Sequence, residues 1–245
     1  LAEQNLFSAG TDKGKMVISV TLPSLASGVS GRLLPGDIVS VIAIPQGTVN
    51  QTLGVEPGDV SLVINTHLHA DHCSGNTTFN DDMGAVLPSF LNAEHVVQRR
   101  EFEDATSPNE RTAATYLAIN WDVLVENGQL RLLDGDTDLA PGVRGVVTPG
   151  HTPGHMSVVI ESSGEYAMFT CDLASYAVHF ERLGWMTAYD VEPLITLETK
   201  RHWQRWALET NAALIFPHDS KRPVGRLVAG EKGRPVLEPI DEPFA

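Results

Sequence analysis

The chain has 245 residues, 42% of them hydrophobic, enough to build a substantial core without disulfide staples from its two cysteines. A formal net charge of −14 argues against a nucleic-acid partner, because phosphate binding needs clustered Lys and Arg. Apolar runs are short, broken by 21 glycines and 15 prolines, and none approaches the length of a membrane span.

Taken in chain order, strand-like runs fall first at 16–22, 38–44 and 62–64. The third runs into His67-Leu-His69-Ala-Asp71-His72, the densest group of ligand-type residues in the chain. Residues two apart on an extended segment point the same way, so His67 and His69 can grip one ion together. Asp71 and His72 follow where the chain turns and can face a second ion. Neutral imidazole and carboxylate suit zinc and similar borderline metals. Further strands are expected at 95–98 and 130–133, with helices at 99–105 and 111–118. His95 and His202 have no ligand-type neighbours and read as surface residues.

The second half repeats the pattern of a strand ending in ligand-type residues. A strand at 143–147 runs into Thr148-Pro-Gly-His151-Thr-Pro-Gly-His155, where Gly150 would let the backbone approach a metal closely. After a strand at 156–160, one at 166–170 leads into Cys171-Asp172, and one at 213–216 ends in Pro217-His218-Asp219. Four strands thus deliver ligands at their C-terminal ends, which places one site along a single edge of the sheets. Cys73 and Cys171 read as small buried side chains beside that site rather than as ligands or redox sensors. A helix at 197–211 takes Thr196 as N-cap, with Trp203, Trp206 and Ala207 on one core-facing side. His155 suits a hydrogen bond that orients a ligand. His179 reads equally well as a pocket residue or a structural histidine. The segment 180–189, with Trp185, Met186 and Tyr189, reads as a pocket wall, as core or as a homodimer contact. The 245 residues read as one domain, two sheets with outer helices.

The His-x-His-x-Asp-His block with the later His, Asp and His resembles the metallo-β-lactamase-fold hydrolases. That resemblance implies an α+β fold, an αββα sandwich of two mixed sheets covered by helices. It also implies two divalent transition-metal ions, zinc first and manganese, cobalt or iron next. One would be held by His67, His69 and His151 and the other by Asp71, His72 and His218, with Asp172 bridging both. Within the superfamily the chain looks closest to quorum-quenching lactonases, with methyl-parathion-hydrolase-like enzymes as near neighbours. The expected activity is attack by a hydroxide held between the ions on a lactone or other carboxylic ester. A phosphotriester is the alternative substrate, and oxidation at a single iron is disfavoured by the second ligand set. Asp71 would pass a proton to the leaving group, and Ser175, Tyr176 or His179 would bind the substrate carbonyl. The chain departs from the lactonase pattern at Ser175, where those enzymes carry a tyrosine, and 38–45 lacks an Asp-Thr-Gly. The expected partner is a small molecule, not a membrane. The expected location is the cytoplasm, with a removed signal peptide left open by a chain starting at Leu1.

Overall fold

The structure, a computed structural model, describes residues 57–240, so the strands expected at 16–22 and 38–44 lie outside the described residues. The described part divides into two compact units, residues 57–135 and 136–240, each built on its own sheet.

In the first unit, β1 (Leu62–Ile64), β4 (Glu94–Gln98) and β5 (Leu130–Leu133) form a parallel sheet in the order β1-β4-β5. A parallel strand is covered on both faces and so reads as a continuous apolar run, and all three residues of β1 are buried. Between β1 and β4 come the short α1 (Ala70–Cys73) and a hairpin of β2 (Thr77–Asn80) and β3 (Ala85–Pro88). Helix α2 (Arg99–Thr106) follows β4 directly, and α3 (Asp122–Glu126) precedes β5. One core cluster gathers Leu68, Cys73, Val97, Ala105, Tyr116 and Trp121, and a second gathers Val60, Val63, Phe90 and Ala93.

Two expectations for this unit fail. The helix expected at 111–118 is a run of turns. The Asn109 side chain accepts from the Arg111 and Thr112 amides, and the Thr115 hydroxyl donates to the Thr112 carbonyl. Such side-chain bonds offer the backbone an alternative to helix, and Tyr116 then leaves as an extended residue paired with His69. His95 is not on the surface. It sits fully buried in β4 opposite Val63.

The second unit holds a seven-stranded sheet in the order β12-β11-β10-β9-β8-β7-β6. Its strands are β6 (Thr137–Ala140), β7 (Val143–Val147), β8 (Met156–Ser162), β9 (Glu165–Phe169), β10 (Ala213–Ile215), β11 (Val224–Ala229) and β12 (Pro235–Pro239). Strand β9 pairs in parallel with β10 and antiparallel with β8, so the sheet is mixed. A parallel connection needs a long crossover, supplied by α4 (Ala177–Glu181) and α5 (Pro193–Thr210).

Helix α5 begins a turn earlier than expected. Pro193 occupies the first turn, where its missing N–H costs nothing, and Glu192 takes the N-cap position. Thr196 is therefore inside the helix, where its hydroxyl donates back to the Glu192 carbonyl rather than capping. The helix stops at Asn211 in the left-handed region, with the Asn211 N–H on the Ala207 carbonyl. Ala207 is buried, and Trp203 and Trp206 pack half-buried on a core of Met168, Leu173, Phe180, Leu214 and Phe216. His202 points to solvent as expected.

Candidate metal centre

The donors of the first unit sit where β1 gives way to α1. Leu68 is fully buried in the core, and the residues on either side of it turn their rings away together. The His67 and His69 ring centroids lie 4.7 Å apart, and the His72 ring lies 4.3 Å from that of His67. Both His67 and His69 are buried, His72 is half-buried and Asp71 is exposed. The Asp71 carboxylate comes within 3.4 Å of His72 Nε2. Thr66 Oγ1 lies 3.2 Å from His67 Nδ1. His69 is braced by an antiparallel bridge to Tyr116, whose ring stands 5.2 Å away.

Cys73 directly follows this group but is committed elsewhere. Its thiol donates to the Leu68 carbonyl at 3.3 Å and accepts from Asn120 at 3.5 Å. Burial pushes that thiol up to about 12, which suits a neutral packing residue.

In the second unit the donors converge on Asp172, just past the end of β9. Its Oδ2 lies 3.3 Å from His151 Nε2, and its Oδ1 lies 3.1 Å from His218 Nε2. Each carboxylate oxygen thus faces a different histidine. Ser175 donates its hydroxyl to Oδ1 at 3.1 Å. The Asp172 N–H donates to His155 Nε2 at 3.2 Å, so the His155 proton must sit on Nδ1. From there it reaches the Thr148 carbonyl at 3.1 Å and the Thr148 hydroxyl at 2.8 Å. Thr148 and Ser157 hydroxyls lie 2.9 Å apart, and Ser157 donates to the Thr170 carbonyl, so the chain of donors runs one way. His155 therefore orients the backbone of Asp172. The preceding Cys171 is buried with φ of 47°, a strained left-handed conformation for a residue with a side chain, placed next to that carboxylate.

His151 is held by a residue that no sequence motif singles out. Its Nδ1 lies 3.0 Å from Asp190 Oδ1, and Thr187 donates to the same oxygen at 2.6 Å. Burial works to raise the Asp190 carboxyl, but the hydrogen bonds from His151 and Thr187 outweigh it and hold it below its ordinary value. Asp190 accepts the His151 Nδ1–H, which turns Nε2 toward Asp172, the orientation a metal-ligating imidazole takes. The loop is clamped further by Val191 N–H on the His151 carbonyl and Glu192 N–H on the Gly150 carbonyl. Asp190 lies in a turn far from any ligand motif, so only the three-dimensional contact reveals it.

The three candidates for a substrate contact separate clearly. Ser175 is buried and engaged with Asp172. His179 is buried too, and burial followed by the Lys200 charge lowers it below its ordinary value, so it stays neutral. Tyr176 is 43% exposed, with its ring 6.4 Å from that of His218 and 5.4 Å from that of His179. In the segment read as a pocket wall, Phe180 belongs to the core, whereas Trp185 and Tyr189 are well exposed.

A family model described as the metallo-beta-lactamase superfamily matches residues 43–217, well over half of the chain. The chain belongs to the metallo-beta-lactamase superfamily. The metallo-beta-lactamase fold, with its mixed α and β content, accounts for the two sheets and their helices. An N-acyl homoserine lactonase from a Bacillus species is 29% identical over 224 residues, covering 88% of this chain and 80% of that protein. A probable metal-dependent hydrolase from Staphylococcus aureus is 28% identical with a TM-score of 0.64; the match covers 75% of this chain and 64% of that one. AidC, a dizinc quorum-quenching lactonase solved with its product, has a TM-score of 0.64 at 19% identity over 78% of this chain and 69% of its own, a likeness of fold.

Proposed function

We propose that the chain is a dinuclear metal-dependent hydrolase that opens lactones, with an N-acyl homoserine lactone as the model substrate. The observation that carries the metal reading is Asp172, whose two oxygens face His151 and His218 separately. A carboxylate so placed suits a bridge between two ions. By superfamily resemblance, His67, His69 and His151 would hold one ion and Asp71, His72 and His218 the other. The imidazoles and carboxylates fit zinc, and manganese, cobalt and iron are compatible with the same donors. The lactone reading is supported by the Bacillus lactonase.

Two divalent cations bound there supply an activated water and polarise the carbonyl under attack. The protein's own groups do the rest. Asp190 and Thr187 hold the His151 ring in one orientation, and the His155 relay fixes Asp172. Asp71, exposed beside His72, is placed to pass a proton to the leaving oxygen. Tyr176 offers an exposed hydroxyl to the substrate carbonyl, taking the part of the lactonase tyrosine whose position Ser175 occupies.

Metal analysis of the purified protein tests the reading. We expect about two transition-metal ions per chain, loss of turnover on chelation and its return with added zinc, manganese or cobalt. Asp172→Ala should lose metal and nearly all turnover. A metal-free preparation hydrolysing at full rate would sink the proposal.

A further inference from the structure

A buried carboxylate outside the donor set lies against the peptide that joins two of the donors. Glu101, the third residue of α2, has no solvent exposure. Its Oε1 accepts the Leu68 N–H at 3.0 Å and the Tyr116 hydroxyl at 3.1 Å. Leu68 is the single residue between His67 and His69. Two donors converge on that oxygen, so it acts as the acceptor for both.

The surroundings make this oxygen a junction. Tyr116 pairs through its backbone with His69 and sets its ring 5.2 Å from the imidazole, and the Ala70 N–H bonds to the Thr115 carbonyl. The Leu68 carbonyl receives the Cys73 thiol, so the Leu68 peptide is held at both ends. Holding α2 to the sheet would not need a carboxylate, since apolar packing does as well without the desolvation cost. A carboxylate earns its place where a peptide must be held in one orientation, and ligand geometry tolerates only about half an ångström and 10–20° of error.

We infer that Glu101 is a positioning residue for the His67–His69 pair, fixing the intervening peptide so that both rings present their nitrogens to one cation. This rests on the metal reading above, and its failure is separable from the failure of that reading.

The test is zinc affinity, measured by competition with a chromophoric chelator, alongside the thermal melting of the metal-free protein. Glu101→Gln keeps an acceptor oxygen in the same volume, so its metal-free protein should melt like the wild type. Its zinc affinity should nevertheless fall several-fold. Glu101→Ala should lose tenfold or more, the range seen when groups supporting metal ligands are removed. The visible spectrum of the cobalt-loaded protein should change in both variants. If Glu101→Ala does not fold, Glu101→Gln carries the test. Variants that bind zinc as tightly as the wild type and give its cobalt spectrum would overturn the inference and leave the metal reading intact. A wild type that binds no zinc would overturn both.

Discussion

His95 carries a cost that appears only in acid. It is fully buried in β4, and burial lowers its imidazole to about 4, below the ordinary histidine value near 6.5. Between those two values the unfolded chain binds a proton that the folded chain excludes, so stability falls as pH drops through that window. A gap of this size corresponds to about 3 kcal/mol once both values are passed. Denaturant melts of metal-free protein at pH 7 and pH 4 should show that loss, and His95→Leu should remove most of it. Identical pH dependence in the two proteins would show that His95 is not the source. The same residue marks where reading single side chains in sequence runs out. Clustering picked out His67, His69 and His72, whereas isolation made His95 look like a surface residue. An isolated histidine is equally free to be buried, and what decided it was its place in a parallel strand covered on both faces. Asp190 was missed for a related reason, since its partner His151 is distant in sequence.

Gly150 is shaped by the helix it packs against. Its φ of 134° lies outside what other residues adopt readily, and a Cβ there would meet the Thr196 backbone nitrogen at 2.4 Å. The close approach is to the first turn of α5. Thr199 adds a hydroxyl bond to the Pro149 carbonyl, so the helix start and the His151 turn are built as one piece. Gly150→Ala should cost more than about 2 kcal/mol through backbone strain and overlap together. It should also weaken metal retention, measured on the same preparation; a variant as stable as the wild type would contradict this account. At this scale the buried strands were the legible part, because runs such as 62–64 and 213–216 are unbroken apolar stretches. Strands β6, β11 and β12 alternate with polar residues or contain glycine and proline, and α3 and α4 are too short to show a helical period. The 18-residue α5 was found, but Pro193 moved its start.

Across the whole chain, acidity bears on the charge of the substrate. A net charge of −14 repels anionic substrates at long range, although physiological salt limits that effect to about 8 Å. An uncharged lactone meets no such barrier. Neither does an uncharged phosphotriester, which asks the same of the metals but presents a different shape. The superfamily was legible from ligand spacing because chelation demands particular residue types at particular intervals. Substrate choice leaves no such trace, since it depends on side chains such as Tyr176 and Trp185 whose exposure only the fold reveals. The most direct measurement is kcat/KM for an N-acyl homoserine lactone and for an aryl phosphotriester on one zinc-loaded preparation. We expect the lactone to be turned over with the clearly higher kcat/KM. A far higher value for the phosphotriester, or turnover of neither compound, would contradict the account.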